Sequence, residues 1–123
     1  MAAGRYDTVI EQGATFTRTA TWKDSAGVGI NLTGYTVSGK LKRKVSDKVE
    51  LASFTVTIAN QGTFPGKFTF ALSATQTALL PNSPSQSGDK QPLNLYYDIE
   101  ASLSGVVTRL IEGILSLTPE VTK

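Results

Sequence analysis

The chain of 123 residues contains no cysteine and no histidine. Without Cys it can form neither a disulfide framework nor a thiolate zinc site. Without His it lacks the commonest general base, the commonest metal ligand and any Ser–His or Cys–His nucleophile pair. The composition therefore favours a protein that is not an enzyme and that holds no cofactor or metal.

Long apolar runs and a strong charge excess are also missing. No run approaches the ~20 apolar residues of a membrane helix, and the N-terminal segment MAAGRYDTV lacks the apolar core of a signal peptide. Twelve basic and ten acidic residues leave a net charge of +2, a mild bias for a nucleic-acid-binding protein. We expect one soluble domain over residues 1–123, without a membrane partner and indifferent to redox state.

Alternation of apolar and polar residues with period 2 dominates the chain and predicts β-strands. The predicted strands are 6–11, 14–22, 35–44, 50–58, 67–72, 93–102 and 106–117. Ser73 and Gln76 have the spacing of a helix capping box, so one short helix is expected before Pro81. This pattern predicts an all-β fold, an immunoglobulin-like β-sandwich of about seven strands with one short helix. A small barrel is the alternative, because periodicity cannot separate the two.

The predicted core lies between the two sheets. Its members are large apolar or aromatic residues from several strands: Trp22, Phe54, Phe68, Phe70, Tyr97 and Ile99.

A basic run occupies the third predicted strand. Lys40, Lys42 and Lys44 share one face, and Arg43 lies on the other. Sheet modules that bind nucleic acid interleave aromatic residues that stack on bases, and this face has none. Lysines also keep sheet edges from pairing with other chains. We therefore interpret the run as a solvent-exposed strand face. Binding to an acidic protein surface is the second alternative, and binding to DNA is the third.

Two carboxylates, Asp98 and Glu100, lie two residues apart on one strand face. A glycosidase needs its carboxylate pair to flank a sugar-sized cleft, and neighbours on one strand do not form a cleft. We expect an ion pair with Arg109 across the last hairpin.

The last predicted strand is apolar at nearly every position, which is typical of a strand covered on both faces. A monomeric sandwich would expose Val106, Leu110 and Ile114 on its outer face, and such a patch is usually a contact surface. A bulge near Gly113 that exchanges the two faces is the alternative.

Two further segments are expected to contact a partner. The polar loop 81–92, with Pro81, Pro84 and Pro92, holds too few apolar residues to order by itself. An N-terminal arm, residues 1–5, with Arg5 at its end and Tyr6 next to it, is expected to lie on an adjacent subunit. The C-terminal tail, residues 118–123, is expected to be free.

Two long segments contain recognisable motifs. The first is YDTVIEQGATFTRTATWKDSAGVGINLTGYTVSGKLKRK, with its Ile-Glu-Gln-Gly segment, Trp-Lys-Asp turn and Leu-Thr-Gly-Tyr corner, and the second is LYYDIEASLSGVVTRLIEGILSLTPEVTK. Both resemble a class of small structural proteins of tailed bacteriophages. The Leu-Thr-Gly-Tyr corner is also similar to the immunoglobulin-like N-terminal domain of siphophage upper-baseplate proteins.

The resemblance implies a virion structural protein without enzyme activity, assembled in the host cytoplasm. We predict a tail or baseplate adaptor that docks onto other phage proteins and forms a symmetric homo-oligomer in the particle. A capsid cement or head decoration protein is the alternative. A protein that contacts DNA through residues 40–44 is the third possibility.

Overall fold

The computed structural model describes residues 4–44, 48, 50–80 and 93–118. Within that part of the chain, nine strands and one helix form two sheets. The elements are β1 (Gly4–Arg5), β2 (Thr8–Glu11), β3 (Phe16–Thr21), β4 (Thr36–Lys42), β5 (Ala52–Ser53), β6 (Thr55–Ile58), β7 (Lys67–Leu72), α1 (Ala74–Ala78), β8 (Leu93–Leu103) and β9 (Val106–Thr118).

The strand order is that of an immunoglobulin-like sandwich. The three-stranded sheet has the order β3-β7-β6, which corresponds to strands B, E and D, and β4, β8 and β9 correspond to C, F and G in the other sheet. The six-stranded sheet adds β5 beside β4, while β1 and β2 run parallel to β9 on its other side. The predicted all-β sandwich with one short helix is confirmed. Among the described residues no strand pair joins the two sheets, which decides against the barrel.

The core is built from aromatic residues of both sheets. Phe54 and Phe70 pack edge to face with ring centroids 5.4 Å apart, and Tyr97 stacks on Phe70 at 6.1 Å. Five of the six predicted core residues are buried. The exception is Trp22, which is half-buried because it lies beyond the end of β3 and packs edge-on against Tyr35 near the rim of the core.

The predicted strand 50–58 divides at Phe54 into β5 and β6, which belong to different sheets. The backbone N–H of Phe54 donates to the Gly39 carbonyl, so the chain leaves β4 only after this buried residue. The alternation of strand 50–58 would place Ile58 on the core side with Phe54 and Val56, but this expectation is wrong. The Ile58 side chain is exposed at the open edge of the three-stranded sheet.

The predicted helix begins with the expected capping box. The Ser73 hydroxyl accepts from the Gln76 backbone N–H at 3.1 Å, and the Gln76 side chain accepts from the Ser73 N–H at 2.9 Å. The Thr77 side chain, fully buried, donates to the Ala14 carbonyl and so fastens the helix to the start of β3. No helix in the described part of the chain is long and apolar enough to cross a membrane.

A bulge in β9 exchanges the faces of the last strand. The register with β8 moves from Ile99 opposite Ile111 to Glu100 opposite Arg109, so Leu110 is an extra residue. The extra residue turns Leu110 inward, and its side chain is only 8% exposed. The prediction that Leu110 lies on the outer face is therefore wrong, and the bulge alternative is right, three residues before Gly113.

Residues 4–6 pair with β9 of their own sheet. Gly4–Arg5 pair with Ile111 and Glu112, and the Tyr6 N–H donates to the Glu112 carbonyl at 3.0 Å. For these residues the expected arm on an adjacent subunit is wrong, because β9 of the same chain satisfies their hydrogen bonds.

Most of the predicted tail and the whole predicted loop lie outside the described residues. Thr118, expected in the free tail, ends β9 opposite Glu11. Residues 1–3 of the arm, residues 119–123 of the tail and the loop 81–92, with Pro81, Pro84 and Pro92, lie outside the described residues.

Candidate functional site

The outer face of the six-stranded sheet is a shallow groove with charged walls. Its volume is about 530 Å³, and outward side chains of β4, β8 and β9 line most of it. The alternation of these strands places their apolar residues in the core and their charged residues here. This groove brings together charged side chains of three strands, and we treat it as the first candidate site.

Arg109 gathers three carboxylates on one side of the groove. Its Nε lies 3.4 Å from Asp98 and 4.0 Å from Glu100, and one of its terminal nitrogens lies 3.9 Å from Glu112. The predicted ion pair across the last hairpin is therefore confirmed. All four side chains are at least one-third exposed, so each pair contributes at most about 1 kcal/mol to stability. We call these four residues the acidic strip, whose net charge is −2.

Lys40 and Lys42 form a neighbouring basic strip of net charge +2 on β4. Lys40 lies opposite Asp98 in the register of β4 and β8, and Lys42 lies opposite Tyr96. Asp98 nevertheless pairs with Arg109, and among the described residues neither lysine forms an ion pair. A nucleic-acid phosphate bound to the basic strip would also lie close to the carboxylates of the acidic strip. This proximity disfavours the hypothesis that the run binds DNA.

Asp7 fastens the N-terminal segment to one end of the groove. Its Oδ1 accepts from the Ile114 N–H at 2.8 Å, and its other oxygen pairs with Arg5 at 3.3 Å. The bond from the Ile114 backbone is the main reason that the pKa of the Asp7 carboxyl lies below its usual range. Ile114 is half-buried on the groove side of β9. It therefore lies on the outer face, as predicted.

Between β1 and β2 the segment comes close to β9 at Gly113, where a side chain would not fit. A Cβ on Gly113 would lie 2.1 Å from the Tyr6 carbonyl oxygen. That carbonyl accepts a short hydrogen bond from the Tyr97 hydroxyl, and burial raises the pKa of Tyr97. The Tyr6 hydroxyl in turn accepts from Arg18 of the other sheet at 3.1 Å. Predicted contact residue Tyr6 therefore joins the two sheets of its own domain.

The tip of the β8–β9 hairpin is a second candidate site. Val106 is 67% exposed and Val107 58%, next to Leu103 at 38%. Ser104 and Gly105 both have positive φ, as a two-residue hairpin turn requires. We call the three apolar residues the hairpin tip. Val106, predicted as a contact residue, is exposed here, but it lies at the end of the sandwich and apart from Ile114.

Among the residues that the structure describes, no three acidic side chains are grouped so as to hold a metal ion. The sequence pattern identified the lysine strand and the Arg109 pair, but it missed the groove. The groove depends on which strands become neighbours, and that follows only from the sheet order.

Comparisons with known proteins add little to this description. No protein-family model and no curated protein matches the chain. One similar solved structure is that of the NK cell receptor Nkp44, a triggering partner in natural cytotoxicity, at 12% identity and a TM-score of 0.43. The match covers 96% of this chain and all of that one. A TM-score this low supports no conclusion about this chain, so the immunoglobulin-like assignment rests on the strand order.

Proposed function

We propose that the chain is a non-enzymatic structural protein of a bacteriophage virion and acts as a tail or baseplate adaptor. It assembles in the host cytoplasm and docks onto other virion proteins without a cofactor. The sequence resemblance at both ends of the chain supports the virion setting. The observation that carries the docking role is the hairpin tip, where two valines and a leucine are exposed together.

The hairpin tip is suited to docking because its apolar side chains cost free energy while they face water. Complete burial of one Val or Leu side chain contributes about 1.5–3 kcal/mol. Val106 and Val107 are more than half exposed, so most of that contribution is still available to a partner. In the proposed homo-oligomer several tips are linked, so contacts of a few kcal/mol each strengthen one another through multivalency.

The hairpin also presents the tip on a rigid support. β8 pairs with β9 from Leu93 opposite Leu117 to Leu103 opposite Val106, and this long ladder fixes the backbone up to the turn. A preorganised element loses little conformational entropy on docking. We infer that the tip inserts into a matching apolar pocket of the partner protein.

Replacement of both valines tests the proposal. We expect the double variant Val106→Asp with Val107→Asp to stay soluble and folded but to be missing from purified virions, because charged tips cannot enter an apolar pocket. The matched control is Leu79→Asp, since Leu79 is 80% exposed and follows α1 at the opposite end of the sandwich. Immunoblots of purified particles measure both.

Normal copy number of the double variant in virions would overturn docking through the hairpin tip. Separate analysis of heads and tails decides the location. Wild-type protein in the tail fraction agrees with the adaptor, whereas wild-type protein in the head fraction supports capsid decoration and contradicts it.

A further inference from the structure

We propose that the groove face of the six-stranded sheet binds a second copy of this chain. The basic strip of each copy would lie on the acidic strip of the other, related by a two-fold axis. This inference goes beyond the proposed function, because it names a different surface and a different partner.

The charges on this face are separated into two strips of equal and opposite charge. Lys40 and Lys42 give the basic strip a charge of +2, and three carboxylates with Arg109 give the acidic strip a charge of −2. The remaining pair at the groove end, Arg5 with Asp7, cancels internally. A face that is neutral in sum but divided in this way is complementary to itself.

Within one copy, the two lysines of the basic strip form no ion pair with the described carboxylates of the acidic strip. Lys40 stands directly opposite Asp98 in the strand register, yet the Asp98 carboxylate turns to Arg109 on the other side of β8. No described carboxylate lies within 4.0 Å of Lys40 or Lys42. Both ammonium groups are therefore available to a partner that brings its own carboxylates.

The register specifies how a second copy would fit. Consider a two-fold axis parallel to the strands, midway between β4 and β8, with the two faces packed about 10 Å apart. The axis exchanges cross-strand neighbours between copies, so Lys40 of each copy lies over Asp98 of the other. Lys42 likewise lies over Tyr96, whose ring is 37% exposed and can accept a cation on its face. Symmetry makes each contact twice.

Other occupants fit this face less well. A nucleic acid would meet the acidic strip, and a purely acidic protein surface would meet the three carboxylates around Arg109. Either partner matches one strip and is repelled by the other. A second copy is the partner that satisfies both strips at once.

Charge-reversal variants test the pairing in the full chain. The basic-reversed variant carries Lys40→Glu with Lys42→Glu, and the acid-reversed variant carries Asp98→Lys with Glu100→Lys. Each variant alone places like charges against each other, and we expect its dimer to weaken by at least about 100-fold. An equimolar mixture of the two restores opposite charges, so we expect it to form heterodimers. Sedimentation equilibrium measures all masses.

Two controls separate this pairing from general charge effects. The variant Lys23→Glu with Lys67→Glu makes the same change in net charge with residues that do not line the groove, and it should dimerise as the wild type does. The wild-type dimer should weaken from about 50 mM to about 500 mM salt, because exposed charges are screened over a shorter distance. Circular dichroism verifies that every variant is folded.

The proposal is overturned if the wild-type chain is monomeric at low salt, if the reversed variants dimerise as well as the wild type, or if the mixture stays monomeric. The outcome is independent of virion docking. The Val106→Asp, Val107→Asp variant alters only the hairpin tip and should keep the dimer, so loss of docking and loss of pairing are told apart.

Discussion

Phe70 is the residue whose truncation should cost the fold most. Its side chain is 1% exposed, and its ring meets those of Phe16, Phe54 and Tyr97 at centroid distances from 5.4 to 6.2 Å. Phe→Ala in a core costs about 3–5 kcal/mol, and each aromatic pair adds about 0.5–1.5 kcal/mol beyond its buried area. The neighbouring rings come from both sheets and cannot all collapse into the cavity. We therefore expect a loss near the upper limit, about 4–5 kcal/mol.

Urea denaturation followed by circular dichroism measures this loss. With a denaturant dependence of about 2 kcal/mol per molar, the midpoint should fall by about 2 M. The matched control is Phe64→Ala. Phe64 is 49% exposed, and the Lys67 ammonium lies 4.4 Å from its ring centre. Its truncation should cost less than about 1 kcal/mol.

A loss below about 2 kcal/mol for Phe70→Ala would refute the reasoning. The aromatic cluster would then not join the two sheets, and the register of β7 against β3 and β6 would have to be different. Trp22→Ala is expected to fall between the two Phe variants, because Trp22 is half-buried.

Three further predictions concern the contact of the N-terminal segment with β9 and the charged groove. Gly113→Ala should destabilise the chain by about 1–3 kcal/mol in urea, because its Cβ would press on the Tyr6 carbonyl. Gly4→Ala, whose Cβ would have 3.6 Å of space, should be nearly neutral, and equal effects would contradict the close approach of Tyr6 to Gly113. Because the pKa of Tyr97 is raised in the folded protein, the hydroxyl of the unfolded chain ionises first as the pH rises. Tyr97 should therefore contribute its full stability below the ordinary tyrosine pKa of 10.0, and that contribution should fall above it. Tyr97→Phe should flatten that alkaline fall, and an unchanged pH profile would contradict burial of the hydroxyl. Gel shifts with DNA at about 0.15 M salt should show no binding, since the acidic strip borders the basic strip; sub-micromolar affinity there would support the nucleic-acid reading.

Local sequence patterns predicted the elements in which one face is apolar and the other is polar. Thr alternates with larger residues along β3, Lys with apolar residues along β4, and the capping box at Ser73 marks the helix start. The ion pairs of Arg109 were predictable because Glu100 lies opposite it in the hairpin, and Asp98 is a diagonal neighbour on the same face. Such features depend only on sequence neighbours and strand periodicity.

Features that depend on tertiary partners were missed or only roughly located, as with the bulge, which the sequence named as an alternative near Gly113. The bulge at Leu110 inserts one residue against β8, and nothing in the local sequence specifies where the register moves. Phe54 ends pairing with β4, but the change of sheet follows from the position of β7, far along the chain. The pairing of Gly4–Arg5 with β9 is a contact between the two ends of the chain. In each case the deciding hydrogen bonds are long-range.

A cryo-electron map of the intact virion tests the central claim most directly. The account predicts symmetric copies of the two-sheet sandwich in the tail or baseplate, each with Val106 and Val107 buried against another virion protein. A map in which the hairpin tip of every copy faces solvent, or in which no density matches this sandwich, would contradict the account.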